Sequence, residues 1–388
     1  MYAFAADAFF PYPSIMGLYG QAANALLQAP LAMLDMGMQA MRAANLPHDI
    51  DTAAAQAHML EAKGAPIPEL QATDCGLVST NIDGHTVPLS VSTEALSSTC
   101  DLWHFRTGSH DAQRPLLIAT PYSGSRATLL KYLTAGFLPH RDVSIAAWKE
   151  PHNLPKDVSF TLEDQTEDVM ACFRRIGATA SRGFDAMGIS QSGIPLTIAA
   201  ALVSQDATQT AATPANIVIA GSPYNTSEDP NVINWIASHN PLSSSLFTPV
   251  GPAYAGAGRI VIPPGVMKAL YSCTPDKLGE EFDRQALAAE HVRDMHDQIF
   301  RKNRLARGEL THRGKPIGRI DGRVGVLAIA AKDDAIVPPA QTFAVLAHSD
   351  GARKQAVTLP GGHYDLVKEG ATLHLMVSKI VRFPDMAP

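Results

Sequence analysis

The sequence predicts an α/β fold with a mainly parallel central sheet covered by helices on both faces. Two observations carry this. Short, mostly apolar runs at about 115–120, 142–147, 184–189, 216–221 and 324–330, with a further short strand at 354–360, alternate with segments of helical periodicity, the pattern of a mainly parallel sheet buried on both faces. The chain of 388 residues, 46% hydrophobic and only 18% charged, can also bury one large core with an excursion from it.

In chain order, the first 65 residues are rich in Ala, Leu and Met and are expected to be helical, interrupted near Pro30 and Pro47. Gly64 to Pro68 reads as a linker, so 1–68 form an N-terminal helical segment with its linker. Between Phe9 and Pro47 the only formal charges are Asp35 and Arg42. The run is too broken by Gln21, Asn24, Gln28 and Pro30 to be a transmembrane segment, and too apolar to stand free in water. It is expected to pack on its own subunit, to join subunits in a homo-oligomer, or to dock on a hydrophobic surface. Without a basic n-region it is no secretory signal, and the cytoplasm is the default location.

Strands follow at about 77–82, 86–91, 102–107 and 115–120. Residues 161–178 place Leu162, Val169, Met170 and Phe173 on one helical face, with acids early and Arg174 and Arg175 late, a charge order that suits a helix dipole. The core is assigned to 69–222 and 323–388. Residues 223–322 break the rhythm with Pro223, Pro230, Pro241, Pro249, Pro252, Pro263 and Pro264 before a charged helical piece, and are expected to form an inserted cap or lid. Trp235, Ile236, Leu242, Leu246, Phe247, Val250 and Tyr254 would line a groove there or form the cap's own core. The basic run Arg301 to Arg323 reads as a solvated face, with attraction to a negatively charged surface as the alternative.

The net charge of −6 is too mild for nucleic acid. Cys75, Cys100, Cys172 and Cys273 form no C-x-x-C pair and read as reduced and mostly buried. No metal-binding cluster appears in the sequence, and no cofactor is implied.

The most informative stretch is 183–200. The short, mostly apolar run Phe184 to Ile189 ends abruptly at Ser190, and a small-residue helix begins at once. This strand–turn–helix is a nucleophile elbow, which lifts Ser190 clear of the sheet at a helix N-terminus. Gly188-Ile189-Ser190-Gln191-Ser192 departs from the usual motif, with Ser192 where Gly is expected and Gly193 one place late. Downstream, the run 324–330 leads into Ala331-Lys332-Asp333-Asp334-Ala335-Ile336-Val337-Pro338, and 354–360 leads into Gly361-Gly362-His363-Tyr364. Of the two acids Asp334 is chosen, three residues before Val337, with Asp333 a solvated neighbour. His296 and His312 read as exposed. Ser190, Asp334 and His363 follow the chain order of the α/β-hydrolase fold. An oxyanion hole is expected from the N–H of Gln191 and that of Tyr122 or Ser123, in the turn after the strand at 115–120.

At this point the chain resembles the intracellular polyhydroxyalkanoate (polyhydroxybutyrate) depolymerases of the α/β-hydrolase superfamily. The resemblance runs from about Ile82 to the C-terminus. It includes Asp83-Gly84, Leu102-Trp103-His104-Phe105, Pro121-Tyr122-Ser123-Gly124, Leu154-Pro155, Phe160-Thr161-Leu162-Glu163-Asp164, Ser190-Gln191, Gln341-Thr342 and Gly362-His363-Tyr364. That family usually carries Cys in a Cys-Gln-Pro sequence at the position of Ser190. A serine-using branch and a substituted nucleophile would both read this way. Ala147-Trp148 stands where the family has Asp-Trp, and Gln165 where it has Tyr. The resemblance implies hydrolysis of ester bonds in a short-chain 3-hydroxyalkanoate polyester through an acyl-enzyme, at the surface of an intracellular granule. The alternatives are a small-ester or lactone hydrolase and a polyester synthase-like acyltransferase. Synthases usually carry Cys at the nucleophile and Trp after the acid-loop proline, so Ser190 and Pro339 argue against the last.

Overall fold

In the computed structural model, residues 64, 67–110, 113–122, 130–231, 234, 246–267 and 285–383 are described. The expected N-terminal helices therefore lie outside the described residues, as do Ser123, Trp235, Ile236, Leu242 and Cys273.

The chain enters through a hairpin of β1 (Ser79–Ile82) and β2 (His85–Pro88), then forms β3 (Ser90–Ala95), β4 (Cys100–Arg106), β5 (Leu116–Ala119) and, after helix α1 (Lys131–Phe137), β6 (Val143–Trp148). The expected single strand at 86–91 is thus two. Pro88 has no N–H to continue a ladder, and Leu89 instead donates to the Val78 carbonyl before the chain turns into the main sheet. Helix α2 (Leu162–Gly177) precedes β7 (Asp185–Ile189), helix α3 (Gly193–Gln205) and β8 (Asn216–Ala220). The last sheet strands are β14 (Gly325–Ala331) and β15 (Lys354–Leu359), with helix α5 (Pro339–Phe343) between them and α6 (Ala371–Arg382) at the end.

The eight strands of the main sheet lie in the order β3-β4-β6-β5-β7-β8-β14-β15. β4 is antiparallel to β3 and β6, and the other neighbours run parallel. With its second strand reversed and its third and fourth exchanged, this is the α/β-hydrolase fold. Both faces are covered. Leu117, Ala186, Ile217, Ile219 and Val326 pack with Val169 and Phe173 of α2 and Ile194 and Ile198 of α3. The alternate residues Leu116, Ile118, Val143, Met187 and Leu327 pack with Leu133 and Phe137 of α1 and Met376 and Ile380 of α6. Burial on both faces explains why these strands read as mostly apolar runs.

Helix α2 begins where the sequence predicts, for a local reason. Thr161 Oγ1 accepts the N–H of Asp164 (3.2 Å), while Asp164 accepts the N–H of Thr161 (2.9 Å), a reciprocal cap that satisfies two otherwise orphaned donors.

Between β8 and β14 the described residues form a small sheet of β9 (Thr248–Pro249), β10 (Ile260–Ile262) and β11 (Leu287–Ala288), the short helix α4 (Ala289–Asp294) running into a π-turn, and the hairpin of β12 (Thr311–His312) and β13 (Lys315–Pro316). Val250 packs with Val261, Ala286 and Tyr254 in a separate small core. The basic run carries its own counter-charges: Lys302 meets Asp297 at 2.6 Å, Arg313 meets Asp164 at 2.7 Å, and Arg323 meets Asp321 at 2.8 Å. His312 is not exposed. It is buried with Nε2 2.8 Å from a Glu167 carboxylate oxygen of α2, a partner 145 residues away that its charged sequence neighbours do not reveal. His296 is half-buried. Cys75, Cys100 and Cys172 are buried free thiols. No described helix is long and apolar enough to cross a membrane.

Candidate active site

β7 delivers Ser190 at the carboxyl end of the sheet. Ser190 has φ 55°, the left-handed region that a non-glycine residue adopts at a cost of about 1–2 kcal/mol. That turn is held from below. Ser192 Oγ, fully buried, accepts the N–H of Ile189 at 2.9 Å and lies 2.8 Å from the carbonyls of Ala119 and Ile189. The serine that departs from the usual motif therefore ties the elbow to the neighbouring strand β5. The late glycine also has a reason. A Cβ on Gly193 would lie 2.4 Å from Ser222 Oγ and 2.7 Å from its Cβ, so only glycine lets α3 start this close to the end of β8.

The other sequence-chosen residues come to the same place. His363 Nε2 lies 3.1 Å from Ser190 Oγ. His363 Nδ1 lies 2.7 Å from Asp334 Oδ2. The second carboxylate oxygen, Asp334 Oδ1, accepts the N–H groups of Ile336 (2.9 Å) and Val337 (2.7 Å). Asp334 and His363 are buried, and Ser190, at the other end of this chain of contacts, is half-buried. Asp333 is exposed. With Oδ1 occupied by two backbone donors, Oδ2 is left to take Nδ1–H. Nε2 is then free to accept from the Ser190 hydroxyl, the tautomer that base-assisted attack requires.

Gln191 is the second residue of the helical turn opened by Ser190, and the first N–H groups of a helix have no partner within it. Tyr122 follows β5. Its ring is fully buried, against Phe160 (centroids 4.7 Å apart) and edge-on to His291 (4.6 Å). Its hydroxyl accepts the N–H of Ala288 at 2.8 Å, and burial pushes the phenol pKa well above its usual value. The side chain is therefore an anchor in the core, which leaves only the backbone N–H of Tyr122 for the expected donor role. Ser123, the alternative donor, lies outside the described residues.

Sequence reasoning missed the groups that hold this anchor. His291 Nε2 lies 2.7 Å from Gln165 Oε1. An amide oxygen only accepts, so Nε2 carries the proton. Burial drives the His291 pKa down to about 3, so the ring stays neutral. Gln165 and His291 are 126 positions apart and lie in no common motif. Gly221 was also missed, although a Gly closing the apolar run 216–220 is a visible signal. It has φ 54°, and it lies directly under the imidazole of His363.

No family model matches the chain, and no curated protein matches it. Among solved structures it is similar to an α/β hydrolase fold protein from Chitinophaga pinensis, at 14% identity over 77% of this chain and 98% of that one (TM-score 0.42). It is also similar to the esterase domain of a Rhodothermus marinus protein, at 12% identity over 76% and 98% (TM-score 0.44). A third is the monoacylglycerol lipase of Paleococcus ferrophilus, at 13% identity over 76% and 100% (TM-score 0.41). Likeness at this level says nothing about substrate.

Proposed function

We propose that the chain is a serine-type hydrolase of carboxylic esters that works through an acyl-enzyme on Ser190. The observation that supports this reading is the unbroken series of short contacts from Asp334 through His363 to Ser190, ending on a half-buried hydroxyl. In this reading Ser190 Oγ attacks the ester carbonyl carbon while His363 Nε2 takes its proton. The tetrahedral oxyanion is held by the N–H of Gln191 and a second N–H from the Tyr122–Ser123 turn, each donor contributing about 3–4 kcal/mol. The intermediate collapses with cleavage of the acyl C–O bond, and His363 returns the proton to the departing alkoxide. Water, deprotonated by His363, then releases the acid and restores Ser190. Asp334 keeps the imidazole oriented and stabilises its cationic form.

The substrate proposed is a short-chain 3-hydroxyalkanoate polyester such as polyhydroxybutyrate, met at a granule surface, with residues 223–322 as the cap over the site. The series of motifs from Asp83-Gly84 to Gly362-His363-Tyr364 supports this choice. The test is incubation with native amorphous polymer granules, with products resolved by mass. Release of 3-hydroxybutyrate or its oligomers by the native chain and not by Ser190→Ala is expected. Cleavage of soluble short esters with no release from granules would favour the small-ester reading instead.

A further inference from the structure

We infer that Asn231 is a positioning residue for the acid–base pair, acting on Asp334 from the far side of its own loop. The inference rests on the catalytic reading of Ser190, His363 and Asp334. Asn231 belongs to the segment that leaves β8, more than 100 positions before Asp334. Its side-chain Nδ2 donates to the carbonyl of Ala335 at 2.8 Å and to that of Ile336 at 3.0 Å.

These two carbonyls are a particular pair. The carbonyl of Ala335 and the N–H of Ile336 are the two ends of one peptide group. The carbonyl of Ile336 and the N–H of Val337 are the two ends of the next. Asp334 Oδ1 accepts both of those N–H groups. The same two peptide planes are therefore gripped on one side by the carboxylate and on the other by the Asn231 amide. A carbonyl that accepts a hydrogen bond makes its own N–H a stronger donor. The amide thus strengthens, and fixes the direction of, the bonds that hold Asp334 Oδ1, leaving Oδ2 aimed at His363 Nδ1.

Asn231 is itself held in place. Its N–H donates to Asn234 Oδ1 and its Oδ1 accepts the N–H of Asn234, both at 3.1 Å. Asn234 Oδ1 in turn accepts from Gln341 Nε2 at 2.6 Å, and both of these side chains are buried. Gln341 lies on α5, just beyond the acid loop. The amide is therefore preorganised by its own segment and, through Asn234, by the helix that follows the loop it grips.

The test is a double-mutant cycle in the full chain with a soluble ester, with kcat and KM read separately and melting temperature measured alongside. Asn231→Ala and Asn231→Asp are each combined with Asp334→Asn. Asn231→Asp keeps the size and the acceptor toward Asn234 while removing the donor, and stands in if the alanine variant does not fold. Each single Asn231 variant is expected to lower kcat on the order of 10–100-fold, as small displacements of a catalytic group do, with KM within about twofold. In the Asp334→Asn background the same substitutions should change kcat by less than about twofold, because the residue through which they act is already impaired. Wild-type kcat in the single variants, or an equal fold-loss in both backgrounds, overturns the inference while leaving the reading of Ser190 intact. Wild-type kcat in Asp334→Asn alone would overturn that reading first, and the role of Asn231 with it.

Discussion

Gly221 lies beneath the imidazole of His363: a Cβ at this position would stand 3.2 Å from His363 Cε1 and 3.4 Å from Nδ1. Its φ of 54° also belongs to a region that side chains disfavour. A Cβ there would also stand 3.0 Å from Leu366 Cδ1, so the residue just beyond β8 is closely packed against both Leu366 and the ring. Gly221→Ala is expected to cost about 1 kcal/mol of stability and, by lifting the ring, at least about tenfold in kcat. Chemical denaturation and steady-state kinetics on a soluble ester check the two effects, and unchanged kcat would separate Gly221 from the site.

Ser190 and Ser192 should part company under mutation. Ser192→Ala leaves the N–H of Ile189 without its partner and cuts the tie to Ala119, at a cost of about 1–3 kcal/mol. A reduced melting temperature with measurable residual turnover is expected. Full loss of turnover at wild-type stability would point to Ser192 as the reacting hydroxyl.

The two adjacent acids make a sharper contrast. Asp334→Asn should remove most activity, on the order of 10⁴-fold, through the wrong imidazole tautomer. His363→Ala should be at least as damaging. Asp333, which is exposed, should tolerate Asn within about twofold in kcat. The kinetics of the three variants, measured together, check the assignment.

Asp168 on α2 supplies a pH prediction unconnected with catalysis. Burial raises its pKa to about 6 from an ordinary 3.8, outweighing hydrogen bonds from Thr99 Oγ1 (2.5 Å) and Ser97 and the charge of Lys149. Between those two values the folded chain binds more protons here than the unfolded one, so this group lowers stability as pH rises from about 4 to about 6. Asp168→Asn keeps an acceptor for Thr99 and removes the charge. Its stability relative to the native chain should improve by about 2–3 kcal/mol across that window and stay level above it. Denaturant melts from pH 4 to pH 8 read this directly, and parallel curves for the two chains would contradict it.

What could be read from the sequence follows from how local each cause is. A strand buried on both faces is apolar except where a polar side chain finds a buried partner, as Asp185 does with Arg141 and Asn216, so β5, β7, β8 and β14 announce themselves. The apolar face and charge order of α2 lie within 161–178 and are visible there. Ser190 stands out because an apolar run stops and a small-residue helix starts at that residue. The groups that were not legible depend on contacts across long stretches of chain. Ser192 looks like a flaw in a motif until Ala119 is beside it. His312 looks solvated until Glu167 covers it. Tyr122 gives no sign that its hydroxyl rests on the N–H of Ala288, nor Gln165 that it holds His291. A periodic pattern reports which face is buried, and not which residue from elsewhere buries it.

The central claim is that ester cleavage passes through an acyl group on Ser190. Rapid quench of the native chain during turnover of an activated 3-hydroxybutyrate ester, followed by intact-mass and peptide mass spectrometry, tests it most directly. The expected result is one acyl group per chain, on the peptide carrying Ser190, absent when the ester is omitted and absent in Ser190→Ala. Turnover with no acylated species, or an acyl group on Ser192 or any other residue, would contradict the account.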